Sequence, residues 1–154
     1  GHSLGGISTA LYAENHPEKV KAVAPISAVI SGKLHNSEIP KDKLEEFNRT
    51  GWKIAPSKSK PGTIKKLNWK QFNEDLQKYD LLDKADKLTM PVLLMAGDED
   101  KGTPVKHQEI LFRKLKCQKE LHIIEGAAHT FRDPVHLDTI KHILKHWIED
   151  VENN

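Results

Sequence analysis

Three kinds of side chain in this 154-residue chain have the types and settings for acyl transfer: a serine, a histidine and a carboxylate. The serine is Ser3, in the opening stretch "GHSLGG", which holds the pattern G-x-S-x-G. A serine on a tight strand-to-helix turn occupies a strained backbone conformation, and the turn lifts its hydroxyl clear of the sheet. Gly1 and Gly5 flank it, where side chains are expected to collide across the turn. The next helix directs free N–H groups and a partial positive charge at the same place. The Leu4 N–H is the natural first donor to an oxyanion formed there.

A serine nucleophile needs a base, and the base needs a carboxylate to orient it. Of the nine histidines, His129 has the right setting. It lies in "EGAAHTF", just past the last predicted strand, and Gly126, Ala127 and Ala128 allow a tight loop. The acid should leave the end of the preceding strand, which reads "AGDEDKGTP". Asp98, Glu99 and Asp100 compete for that role. Asp98 comes directly after the strand, whereas Asp100 sits further into the loop, with Gly102 and Pro104 shaping the turn beyond it. His142 and His146 form an i, i+4 pair that could bind a metal. No further ligand is suggested nearby, and a solvated helix face accounts for them.

The elements that must position these groups can be read from hydrophobic period. Ile7, Ala10, Leu11 and Ala13 suit a packed helix from Leu4 to His16, stopped at Pro17. Val20 to Ile30 reads as a buried strand running into a loop. Met90 to Gly97, "MPVLLMAG", is continuously apolar, as in a parallel strand covered on both faces. A helix over Val105 to Lys116 would turn Ile110, Leu111 and Leu115 inward, and Leu121 to Ile124 is a short strand. In a final helix from about Val135 to Val151, a spacing of roughly 100° per residue puts Ile140, Ile143, Leu144, Trp147, Ile148 and Val151 on one face. Alternating helices and strands of this kind indicate a parallel α/β sheet. The stretch from about 31 to 89 is too long for a simple crossover. It carries helices near Lys41–Phe47 and Trp69–Tyr79, with a hairpin from Trp52-Lys53-Ile54 to Ile64-Lys65-Lys66-Leu67 between them. Such an insert would sit over the carboxyl ends of the strands, with its lysines as a solvated loop.

Composition limits the function classes. Hydrophobic residues make up 37% and the net charge is +2, too small to argue for nucleic acid. No apolar run is long enough for a membrane span, and no secretory leader is visible. The single cysteine, Cys117, cannot form an internal disulfide and fits a reducing, cytoplasmic setting.

"GHSLGG", "PVLLMAGDEDKGTP" and "IIEGAAHTF" together resemble the α/β-hydrolase superfamily. The first resembles its nucleophile elbow. The second resembles its G-x-x-D-x-x-x-P acid loop, which places the acid on Asp100. The third resembles its histidine loop, with Ala128 where many members have Gly. The resemblance is nearest to the serine aminopeptidase, monoacylglycerol lipase and feruloyl-esterase-like groups. It implies an α/β fold: the C-terminal half of a hydrolase starting at the elbow. Three parallel strands (20–27, 91–96 and 121–124) would carry flanking helices and a lid-like insert at about 31–89, all within one partial domain over 1–154. It also implies a Ser3–His129–Asp100 triad, an acyl-enzyme on a small-molecule ester, thioester or amide, and no metal or organic cofactor. The family elbow is preceded by five strands and by a loop giving the second oxyanion donor. This chain is therefore expected to be a poor catalyst alone, with an unpaired apolar edge on its first strand. Three readings remain: the catalytic part of a hydrolase, a binding module keeping only the fold, and a half-enzyme completed by a homodimer or by the missing N-terminal half.

Overall fold

The computed structural model describes residues 1–57, 60 and 62–153. Its centre is strand β3 (Val92–Gly97), buried along its whole length and paired in parallel with β4 (Lys119–Ile124), from Val92 opposite Lys119 to Gly97 opposite Ile124. The labels β1 and β2 belong to a hairpin earlier in the chain, Trp52–Pro56 and Ile64–Asn68. Alternate β3 side chains point to opposite faces. Val92 and Leu94 join one apolar cluster with Ile7, Ala10, Leu111 and Leu115. Leu93 and Met95 join another with Phe131, Ile140, Trp147 and Val151. The first cluster is supplied by helices α1 (Leu4–Asn15) and α5 (Val105–Lys114), the second by α6 (Pro134–Asn153). A strand apolar on both sides needs this double cover, as its sequence implied.

The strand expected over 20–27 is interrupted. Val23 and Ile26 each bridge β3 in parallel, opposite Val92 and Met95, but no continuous ladder forms. The Val23 N–H donates to Pro91 O (3.0 Å), and the Ser27 N–H to Met95 O (2.7 Å). The donor midway between them would come from residue 25, a proline with no N–H. The extended run then ends at Ser27, whose φ is 39°. Its outer edge is not wholly unpaired, contrary to expectation. Gly1 N donates to Ala24 O (3.0 Å), Ile26 N to Gly1 O (2.8 Å) and Ser3 N to Ile26 O (3.0 Å). The start of the chain thus lies as a further parallel segment beside 24–26. The part from Val20 to Ala24 borders a cleft of about 490 Å³ shared with Gly1, Thr9 and Tyr12.

The insert enters and leaves side by side. Ser31 bridges Asp80, the Gly32 N–H donates to Tyr79 O (3.0 Å) and the Leu81 N–H to Ile30 O (2.8 Å). Inside it stand α2 (Gly32–Ser37), α3 (Lys41–Thr50), the antiparallel hairpin with Trp52 opposite Asn68, and α4 (Trp69–Leu76). Residues 58, 59 and 61, part of the expected lysine-rich loop, lie outside the described residues. Phe47 and buried Trp69 stack at 5.1 Å, and the Trp69 indole N–H donates to Asn48 (2.8 Å). The insert therefore has its own small aromatic core. Helix α2 was not expected: its six residues, "GKLHNS", carry no apolar stripe, and Ser31 caps it.

Two helix faces also differ from expectation. Ile148 is 47% exposed. It lies about 80° around α6 from Ile140, at the rim of the packed stripe rather than within it. On α5, Ile110 is only half-buried, while His107 and Gln108 are buried. The Gln108 amide donates to Ala28 O (2.8 Å), so a polar side chain ties α5 to the loop after the first strand.

Glu14 on α1 is buried beside the 80–87 segment, and one of its carboxylate oxygens has no partner. Burial raises its pKa from 4.5 to about 7; Lys84 opposes the rise, and Asp80, Asp86 and Asp83 add to it. The folded state thus holds the Glu14 proton where the unfolded chain has lost it. Stability should therefore fall as pH rises from about 4.5 to about 7. Glu14→Gln should remove that fall and stabilise the protein at pH 8 by on the order of 2 kcal/mol. Urea unfolding of both proteins at pH 5 and pH 8 measures it, and equal pH dependence in the two would contradict it.

Candidate active site

Ser3 has φ 56° and ψ −122°, a left-handed conformation rare outside glycine, and α1 starts at the next residue. The turn is held on both sides: the Ser3 N–H donates to Ile26 O, and Ser3 O accepts from Gly6 N (3.0 Å) and Val29 N (3.3 Å). A Cβ at Gly1 would lie 2.4 Å from Gly5 O, so the turn demands glycine there. Gly5 does not meet its expected role, since a Cβ there has nothing within 4 Å among the described residues. The second crowded position is Gly6, where a Cβ would lie 2.7 Å from the Ala28 Cβ. The helix meets the loop after the first strand at Gly6. The Leu4 N–H makes no backbone bond among the described residues, as the first turn of a helix requires.

β4 ends in a tight loop with Gly126 at φ 67° and Phe131 at φ 45°. His129 projects from it, half-buried. Its Nε2 lies 2.9 Å from Ser3 Oγ and its Nδ1 2.7 Å from Asp100 Oδ2. An ionised carboxylate can only accept, so the Nδ1–H donates to Asp100 and Nε2 is left to accept the Ser3 hydroxyl proton. The structure brings Ser3, His129 and Asp100 into one hydrogen-bonded line. Asp98 and Glu99 are both exposed, while Asp100 is 2% exposed.

Asp100 accepts at both oxygens. Oδ1 receives Gly102 N (2.9 Å) and Thr103 N (3.0 Å), and Oδ2 receives the Thr103 hydroxyl (2.6 Å) as well as His129. Burial alone would push this carboxyl up. The hydrogen bonds from His129, the Thr103 hydroxyl and the Thr103 N–H outweigh burial and hold it well below the usual carboxylate range. The acid and histidine loops are further joined where the Glu99 N–H donates to Ala127 O (3.1 Å).

Two participants were not foreseen. Thr103 Oγ1 lies within reach of Asp100, the Ser27 carbonyl (3.0 Å) and His129 Nδ1 (3.2 Å). The run Asp100-Lys101-Gly102-Thr103 did carry a signal, since a short acidic side chain can accept backbone N–H groups two and three residues on. His2 Nε2 donates to the His129 carbonyl at 2.7 Å, and the two rings stand 5.0 Å apart. That contact spans 127 residues of sequence, and no local pattern announces it. Among the described residues no three His, Cys, Asp or Glu side chains form a metal-binding group. His142 and His146 are exposed, with ring centroids 4.3 Å apart, and His146 lies 3.6 Å from Glu149. Burial raises the Cys117 thiol, the opposite of what a cysteine nucleophile needs.

The model of the family described as serine aminopeptidase, S33, matches residues 1–133. The chain belongs to this S33 family. Its fold is that of solved α/β-hydrolases. Est1E from Butyrivibrio proteoclasticus, with ferulic acid bound, superposes with a TM-score of 0.79 at 24% identity, over 100% of this chain and 59% of that one. The mouse α/β hydrolase domain-containing protein 10 gives 0.77 at 21%, over 98% and 61%. The monoacylglycerol lipase of Paleococcus ferrophilus gives 0.73 at 22%, over 98% and 67%. The S33-family chain thus spans about 60% of the length of the first two structures. No curated protein sequence matches it. Among the described residues no helix is long and apolar enough to cross a membrane.

The Asp100 cluster of this S33-family chain gives a direct test. A carboxyl with a depressed folded pKa stabilises the fold above its unfolded value near 3.8, and that stability is lost as pH falls. Thr103→Val removes one donor and should destabilise the protein by about 1–2 kcal/mol at pH 7. The unfolded carboxyl is the same in both proteins, so the loss should persist at pH 3, where Asp100 is still ionised in the fold. Urea unfolding at both pH values measures this, and a variant as stable as the parent at pH 7 would contradict it.

Proposed function

We propose that this chain carries the nucleophile, base and acid of a serine hydrolase acting on a carboxylic ester, thioester or amide. The observation that supports it is the unbroken line from Ser3 Oγ through the His129 ring to a buried Asp100 carboxylate. Ser3 Oγ attacks the acyl carbon while its proton passes to His129 Nε2, and Asp100 holds the resulting imidazolium. The negative oxygen faces the Leu4 N–H. Collapse expels the alkoxide, thiolate or amine, which takes the proton from Nε2. Water then gives a proton to Nε2 and attacks the acyl-enzyme, releasing the acid and restoring Ser3. The ferulic acid in Est1E and the monoacylglycerol of the lipase's name favour an ester among these substrates.

On this reading the 154-residue chain turns over slowly. Leu4 supplies one oxyanion donor, and each donor lacking from such a site typically removes about 2.7–4 kcal/mol of transition-state stabilisation. The cleft beside Val20 and Val23 is where a further strand would pair, from a second copy or from a preceding half of a hydrolase. A fluorophosphonate probe should label Ser3 slowly, to one equivalent, and not label Ser3→Ala. Asp100→Asn should slow labelling by about 10³–10⁴-fold, and Asp98→Asn should leave it near the parent rate. Mass spectrometry of the labelled peptide reads the site. Label on another residue, or equal effects of the two aspartate variants, would overturn the assignment.

A further inference from the structure

One cation in the insert lacks a counter-charge. Lys53 on β1 is half-buried, with its ammonium 5.5 Å from the ring centroid of Phe72, 5.9 Å from that of Phe47 and 6.0 Å from that of Trp69. The aromatic faces offset part of the cost of desolvating it. No Asp or Glu among the described residues pairs with it, and burial lowers its pKa. Charges taken out of water normally meet a partner. Lys53 instead faces a cleft of about 260 Å³ between α2, α3 and the acid loop, which His35 and Lys101 also line.

The remaining charges at this cleft do not supply the missing partner. Glu38 gives Oε1 to Lys106 (2.8 Å) and to His107 (3.1 Å). Lys43 is paired with Glu46 at 2.9 Å. His35 donates from Nδ1 to Gly102 O (3.1 Å), which leaves Nε2 for another contact. Burial and the charge of Lys53 both work against protonating His35 and hold its ring neutral. Ile39, Pro40 and Phe47 complete the lining with apolar surface. The volume suits a single oxyanion group with a few carbons, and falls below that of drug-sized pockets.

We propose that this cleft is a binding site for a small oxyanion, a carboxylate or a phosphate, held by Lys53 and Lys101. The anion comes either from the charged end of an ester whose acyl group reaches Ser3, or from a free ion. Gly102 links the site to the acid, giving its N–H to Asp100 and its carbonyl to His35. The site does not depend on Ser3 being a nucleophile, so binding is tested apart from turnover.

The test is calorimetric titration of the full chain carrying Ser3→Ala, at constant ionic strength. The probes are sodium phosphate, monomethyl succinate and dimethyl succinate. Saturable heat is expected from either anion and none from the neutral diester. Lys53→Met keeps the apolar stem over the rings but removes the charge, and should weaken binding by about tenfold or more. Lys53→Arg should retain it. Lys101→Gln, at the exposed rim, should weaken it too and leaves the test decisive if Lys53→Met fails to fold. Phosphate displaced by monomethyl succinate assigns the site to an ester's own charged end. Phosphate binding that monomethyl succinate does not disturb assigns it to a free ion. No saturable heat from either anion, or equal affinity in the parent, Lys53→Met and Lys101→Gln, overturns the proposal.

Discussion

A carboxylate removed from water is unstable unless every lone pair finds a donor, and the arrangement around Asp100 answers that demand. Two backbone N–H groups, one hydroxyl and one imidazole N–H converge on it. Three of these donors come from Gly102 and Thr103 in its own loop, so most of the site is folded locally. The fourth comes from a loop beyond the next strand. The imidazole therefore docks against the one position where its N–H is needed, and its far nitrogen is left facing Ser3.

The parallel sheet brings these groups together. Parallel strands present their carboxyl ends on the same edge, and β3 and β4 release the acid loop and the histidine loop there. The contact between Glu99 and Ala127 then fixes the separation of the two loops. On the other side of β3, the 23–27 segment receives the start of the chain and sets the height of Ser3. That segment is held by few bonds, because Pro25 removes one of the donors a full ladder would use. Apolar burial on both faces of β3, rather than ladder hydrogen bonds, carries much of the packing in that region.

The site was legible in the sequence because its three loops each carry a local signature tied to a strand end. Ser3 was marked by flanking glycines and His129 by small residues after a strand, whereas Asp100 was separated from Asp98 and Glu99 by its distance past Gly97 together with the resemblance of its loop to the family pattern. Features set by distant packing were not legible. Gly6 rather than Gly5 meets the loop after the first strand, and only the approach of Ala28 shows it. His2 contacts a loop at the far end of the chain. Helix α2 lacks an apolar period, being held by its Ser31 cap and by the His35–Gly102 bond. The strand over 20–27 looked continuous because apolar period says nothing about a missing N–H. Ile148 looked buried because it lies on the edge of a broad stripe, and only the outline of the neighbouring surface decides such positions.

The His2 side chain bound to the His129 carbonyl separates two kinds of motion. His2 is covalently next to Ser3, so the turn bearing the hydroxyl and the loop bearing the imidazole are fastened by a bond outside the proton path. Fluctuations that carry both together leave the 2.9 Å gap between Ser3 Oγ and His129 Nε2 unchanged. Only the differential displacement matters for proton transfer, and the His2 bond stiffens that coordinate alone. Displacement of the loop against the turn must therefore stretch the His2 bond as well as the bond between the reactive atoms.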